Sequence, residues 1–156
     1  MRGKIAIVVM LALAIGAAGV AWYQNYQRSV RARVFWGEDA AMIRFAKKVE
    51  AFRVKENEEP TDVTDISNAH GLLNARTSLM SDDAFDWSVE PFASSLSHWA
   101  YGVRFESDDN MVTLFFSDQS DAMLVRELGK AVQLDPKTAA GWRSYLQKLL
   151  PATGHE

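Results

Sequence analysis

Metal chemistry would need ligands at set spacings, and the three histidines do not supply them. His70, His98 and His155 lie far apart, and none forms the H-x-x-x-H pair that puts two imidazoles on one helix face. They read as ordinary surface histidines. The acidic clusters are Asp82-Asp83 with Asp86, Asp108-Asp109, and Asp118 with Asp121. Calcium takes six to eight oxygens from a defined loop, and no cluster follows the D-x-D-x-D-G pattern with a closing glutamate. These clusters read as solvated turns. A carboxylate pair can do acid–base or glycosidase work only when the two groups face each other across a cleft, which spacing alone does not determine.

Nucleophilic chemistry is equally unsupported. Ser94, Ser95, Ser97, Ser117 and Ser120 sit in no G-x-S-x-G elbow and no S-x-x-K. Gly129-Lys130 lacks the preceding glycine of a phosphate loop and is followed by Ala131. Absence of cysteine excludes disulfides, thiolate metal sites and cysteine nucleophiles. Trp87, Phe92, Trp99, Tyr101 and Phe105 could line a sugar or apolar groove. Trp99, Tyr101 and Phe105 share one strand face, however, which is the mark of core. No catalytic, cofactor-binding or metal-ligating residue is therefore assigned, and no cofactor is expected.

The elements that hold these residues begin with a strand. Across 97–106, Ser97, Trp99, Tyr101, Val103 and Phe105 alternate with His98, Ala100, Gly102, Arg104 and Glu106, a period of two. Residues 107–110, SDDN, have turn chemistry. MVTLFFS returns as a strand apolar on both faces and hence central in its sheet. MLVREL and AVQLD suggest a third and fourth strand around Leu128-Gly129-Lys130, with a helix over 121–129 as the rival. Asp135 caps a closing helix with Pro136 in its first turn; Ala139, Trp142, Leu146 and Leu149 form its stripe, and Pro151 stops it.

Upstream of that meander two helices are expected. One runs over 37–54 after a break at Gly37, with Met42, Phe45, Val49 and Phe52 as its stripe, a heptad beyond Phe35. Its charges follow the helix dipole, from Glu38 and Asp39 to Lys47, Lys48 and Arg53. The second starts with Ser67 as cap and ends near Met80, with Gly71 weakening its first turn. Residues 55–60, KENEEP, read as a loop; Val63 and Ile66 suit a short strand. Residues 81–97 read as irregular, pinned by Phe85, Trp87 and Phe92.

All of this follows an apolar start. From Ile5 to Tyr23 there is no charge, and nineteen residues of helix reach about 28 Å, close to a bilayer's hydrocarbon thickness of roughly 30 Å. Trp22, Tyr23 and Tyr26 suit the headgroup level. An uncleaved signal-anchor is the leading reading; cleavage after Ala21, behind Gly19-Val20-Ala21, is the alternative. Small residues four apart (Ala12 and Gly16, Ala14 and Ala18, Ala17 and Ala21) reflect ordinary membrane-segment composition more readily than a packing face. The flanking basic residues, Arg2 and Lys4 before and Arg28, Arg31 and Arg33 after, nearly balance. The short basic amino end favours leaving the following chain outside the cytoplasm.

Net charge is −3, unevenly placed: residues 1–54 hold nine Lys or Arg against three Asp or Glu, residues 55–156 eight against seventeen. An acidic distal part argues against nucleic acid, and a basic proximal part suits anionic headgroups. The expected organisation is a basic tail (1–4), a transmembrane signal-anchor (5–23), a basic juxtamembrane connector (24–36), a soluble domain (37–150) and a flexible tail (151–156). The expected fold is α+β, with an antiparallel meander of three or four strands packed by two or three helices. The leading function is a single-pass envelope protein acting as a non-enzymatic binding, assembly or accessory subunit for a protein partner, with the lipid bilayer engaged through residues 5–23. A secreted ligand-binding module and a carboxylate-dependent hydrolase are the alternatives.

Overall fold

The computed structural model describes residues 2–55, 60–88, 99–108 and 110–151. Among these residues, five α-helices and a seven-stranded antiparallel sheet make an α+β fold. Helix α1 spans Arg2–Gln27, α2 Val30–Trp36 and α3 Asp39–Phe45. Strands β1 (Lys48–Val54) and β2 (Pro60–Asp65) form a hairpin, followed by α4 (Leu72–Ser78), a 3-10 turn (Asp82–Ala84) and the two-residue β3 (Phe85–Asp86). Strands β4 (Trp99–Ser107), β5 (Asn110–Ser117), β6 (Ala122–Val125) and β7 (Lys130–Leu134) lead into α5 (Pro136–Leu149). The sheet order is β2-β1-β4-β5-β6-β7-β3. The central place of β5 follows from its residues: Val112, Leu114 and Phe116 face one way, Phe115 the other, and all are buried.

One sheet face carries the main core. Val49, Ala51, Val103, Phe105, Leu114, Phe116, Met123 and Val132 pack there against Ala32 and Trp36 of α2, Ile43 of α3, Leu72 of α4 and Trp142 and Leu146 of α5. The opposite face has a small cluster of its own. Phe52 meets Phe115 edge-on at 6.2 Å, with Arg104 over Phe52 and Arg126 over Phe115. Gly102 lies directly beneath the Phe52 ring, where no Cβ fits.

Several sequence expectations are corrected. The sheet has seven strands rather than three or four, and four helices rather than two or three cover its main face. The helix expected over 37–54 stops at Phe45, and its second half is β1. Ala46 turns the chain out of helix at φ −50°, ψ 133°, and β1 then pairs with both β2 and β4. That two-sided pairing overrides a 3-4-3 spacing that suits a helix equally well. Val49 and Phe52 consequently lie on opposite sheet faces, Phe45 is exposed, and the expected helical stripe does not exist. Helix α4 begins at Leu72, after Gly71 in left-handed geometry (φ 92°). Ser67 caps nothing; its hydroxyl donates to Asp65 and accepts from the Val49 amide. The helical rival over 121–129 is excluded by the β6–β7 hairpin, which closes through Gly129 at φ 60°.

Other expectations stand. Asp135 accepts from Lys137 N at 2.9 Å ahead of Pro136, and Ala139, Trp142 and Leu146 are buried. Asp108, at φ 49°, turns β4 into β5 with Ser107 opposite Asn110. Phe85 and Trp87 do pin the chain after α4, while Phe92 lies outside the described residues.

Helix α1 is long and apolar enough to cross a membrane or to act as a signal sequence, and none of its apolar stretch from Ile7 to Gln24 is buried. It ends at a defined joint. Asp82, in the 3-10 turn, accepts from Arg31 N (3.1 Å) and Ala32 N (2.7 Å), the free amides at the start of α2. Its own amide donates to the Arg28 carbonyl (2.7 Å), and its carbonyl accepts from Trp87 Nε1 (3.0 Å). Trp36, 1% exposed, donates from Nε1 to Leu79 O at 2.6 Å. Phe35, Trp36, Phe85 and Trp87 surround the joint with rings 4.9 to 6.4 Å apart. Residues 30–36 of the expected connector are thus part of the packed body. Replacing Asp82 by Ala removes this cap and is expected to destabilise the body by about 1–2 kcal/mol, whereas Asp82→Asn should lose less than half of that. Urea unfolding of the detergent-solubilised chain, followed by tryptophan fluorescence, measures both.

Candidate functional site

A cleft of ≈ 490 Å³ lies between α4 and α5. Its existence follows from small residues: Gly71, Ala75, Ala84 and Gly141 line it where larger side chains would close it. Trp142 and Tyr145 form its aromatic wall, and Asn74, Ser78, Ser81, Thr138, Lys137, Asp83 and Asp135 its polar rim. The wall is rigid. Trp142 stacks on Phe116 at 4.8 Å and meets Tyr145 edge-on at 6.0 Å. Gly71 is required by its positive φ of 92°; an added Cβ would make only an ordinary 3.4 Å contact with the Tyr145 ring.

Behind the wall sits a half-buried cation. Arg76 donates to the carbonyls of Arg44 (3.1 Å) and Ala46 (2.9 Å), which end α3, and lies over the Phe105 ring at 5.7 Å. A guanidinium at a helix carboxyl end satisfies free carbonyls and opposes the negative end of the dipole. Desolvation holds Arg76 below its ordinary pKa. Tyr145 is shifted upward, chiefly by desolvation and against the pull of the nearby Arg76 charge. Its hydroxyl and Trp142 Nε1 are buried with no hydrogen-bond partner among the described residues.

The residues singled out from the sequence are mostly dispersed. His70 is exposed in the turn before α4; His98, His155, Asp109, Ser94, Ser95 and Ser97 lie outside the described residues. Asp82 is engaged at the α2 joint, Asp86 with Ser88, Asp108 with Lys47, and Asp121 with Ser117. Hydrogen bonds from Ser88 keep the Asp86 carboxyl below its usual range. Of the acidic clusters Asp83 alone lines the cleft, where Asp135 joins it. Tyr101 and Phe105 are core, under Arg53 and Arg76 respectively, and form no groove. Among the described residues no group of three or more His, Asp or Glu could hold a metal ion. Sequence reasoning missed Asn74, Arg76, Asp135 and Tyr145 as neighbours. The available signal was the pairing of Gly71 with Gly141, two gaps in otherwise helical patterns.

No family model matches the chain, and no curated protein or solved structure shows significant similarity to it.

The raised Tyr145 pKa sets a pH dependence. Its neutral form is favoured in the fold, so this contribution is complete below the unfolded tyrosine pKa near 10 and is lost as pH rises through the higher folded value. Tyr145→Phe should therefore unfold with a shallower alkaline limb than the parent. It should be at least as stable at neutral pH, because it removes a buried hydroxyl that lacks a partner. Thermal melts between pH 7 and 11 make the comparison.

Proposed function

We propose that the protein is a single-pass membrane protein whose α1 crosses the bilayer over residues 5–23, holding the body outside the cytoplasm as a non-enzymatic accessory subunit. In this reading the α4–α5 cleft receives a segment of a larger protein partner. One observation carries it. An unburied apolar helix is joined, after a two-residue turn, to a helix locked into the body by Asp82 and Trp36. A body so joined is held in a fixed pose at the membrane, which suits presentation of a surface to a neighbour. The cleft supports the binding role: its volume lies within the range of ligand sites, and its apolar wall and polar rim match the anatomy of recognition surfaces. The acidic excess of residues 55–156 speaks against a nucleic-acid partner.

A hydrolase reading retains one favourable observation, the presence of Asp83 and Asp135 in the same cleft. Asp135 is already engaged as the cap of α5, which ties its carboxylate to the fold rather than to a substrate.

The test is a mild-detergent pull-down through a carboxyl-terminal tag. The native chain should retain a stoichiometric partner. Gly141→Leu, which fills the cleft where nothing lies within 4 Å of an added Cβ, should lose it without loss of thermal stability. Recovery of a clean monomer from the native chain would overturn the accessory role. Intact mass should correspond to a chain retaining α1; a mature chain beginning at Trp22 would instead support the secreted alternative.

A further inference from the structure

We infer that the face of α2 turned away from the body, with the turn that precedes it, is a membrane-interface surface, where Arg28, Arg31 and Arg33 engage anionic phospholipid headgroups and Val30 and Val34 enter the boundary beneath them. This rests on the proposed crossing of the bilayer by α1.

Helix α2 is two-sided. Ala32 and Trp36 are 0% and 1% exposed, whereas Val30 and Val34, one turn apart on the other side, are 36% and 77% exposed. Exposed valines flanked by arginines on a short helix are the pattern of an element lying in an interface. Among the described residues nothing covers Val34, and the proposed anchor brings this side to the lipid. From Tyr23 to Gln27 the helix rises about 6 Å, which matches the roughly 5–7 Å headgroup layer of one leaflet. Helix α2 begins there and does not prolong α1: Ser29 leaves helical geometry at φ −131°, ψ 9°, and the first amides of α2 are bound by Asp82 of the body instead of by α1 carbonyls.

The charges agree with this placement. Arg28, Arg31 and Arg33 are all exposed, and among the described residues none makes an ion pair. Arg33 lies over the Tyr26 ring at 5.1 Å, and Tyr26 stacks on Trp22 at 5.8 Å, so this guanidinium is drawn back toward the aromatics that end the apolar stretch. Guanidinium forks match phosphate geometry. The Asp82 joint holds the three cations in place beforehand, so little ordering remains when they meet the leaflet. The remaining body, with its acidic excess, is repelled by the same surface, which selects this face.

The absence of native cysteine allows a direct test on the full chain. Single variants Val20→Cys, Val34→Cys and Leu73→Cys are spin-labelled and reconstituted into phosphatidylcholine vesicles with and without about 30 mol % phosphatidylglycerol, the anionic lipid supplying the surface potential. Relaxation by a water-soluble nickel chelate reports exposure. The label at position 20 should be shielded and that at 73 accessible in both lipids. At position 34 accessibility should fall about threefold in the anionic vesicles, and Arg31→Gln with Arg33→Gln should restore it. A shielded position 20 with position 34 as accessible as 73 in anionic vesicles overturns this inference and leaves the anchor intact. Equal accessibility of position 34 in the two lipids overturns headgroup recognition. An accessible position 20 overturns the anchor itself and this surface with it.

Discussion

Asp82 is the residue on which the arrangement of this protein depends. Its carboxylate binds two amides at the start of α2, its amide holds the Arg28 carbonyl, and its carbonyl receives the Trp87 indole. A carboxylate cap of this kind contributes about 1–2 kcal/mol, an appreciable share of a small domain's net stability. It acts where nothing else would. Helix α2 is seven residues long, too short to persist in water unaided. It forms because its amides meet a carboxylate while Ala32 and Trp36 meet a core. Without that capture the chain after α1 would be a flexible tether.

The sheet obeys a second constraint, the unequal loading of its two faces. The main face is closed by four helices. The other relies on two phenylalanines and two arginines, with Gly102 providing the depression into which Phe52 settles. Arginine suits this position because its guanidinium lies over the negative face of an aromatic ring, Arg104 over Phe52 and Arg126 over Phe115. Arg104 also reaches Glu50, which with Lys48 and Glu106 forms a charged border along β1 and β4. The Lys48–Glu106 pair is exposed and adds little stability, whereas Glu50 and Arg104 meet half-buried on the sheet face.

Much of this was legible in the residues. The β4–β5 hairpin, the central place of β5, the capped α5 and the apolar first helix all follow from strong local signals that tertiary structure had no reason to override. The failure at 48–54 is instructive. KVEAFRV carries valines and a phenylalanine that suit a strand, yet with the preceding Met42 and Phe45 the same residues also fit a helix. What decides is pairing with β4, fifty residues away, and that information is not local. The cleft was illegible for a related reason. Its wall comes from the capped α5, its floor from glycines whose effect is to leave space, and its rim from a turn and a helix end far apart in the chain. Asp83 was visible as part of an acidic cluster, but its nearness to Asp135 comes from the 3-10 turn meeting the amino end of α5, where Asp135 N donates to Ala84 O.

That meeting point gives the cleft and the joint a common part. The turn whose Asp82 grips α2 also supplies Ser81, Asp83 and Ala84 to the cleft, and Ala84 is bonded to the cap of α5. A segment entering between α4 and α5 would press on the turn that fixes the end of α1. Coupling of this kind needs an element with two arrangements that both sites bias. The three-residue 3-10 turn touches both: the Asp82 carboxylate and amide tie it to the α1–α2 turn and the start of α2, and the Ala84 carbonyl ties it to the cap of α5. Trp142 Nε1 and the Tyr145 hydroxyl, both buried without a partner among the described residues, belong to the wall of that cleft. The rigidity that seats the body at the end of α1 and the space that would admit a partner therefore arise from one stretch of chain, residues 81–84.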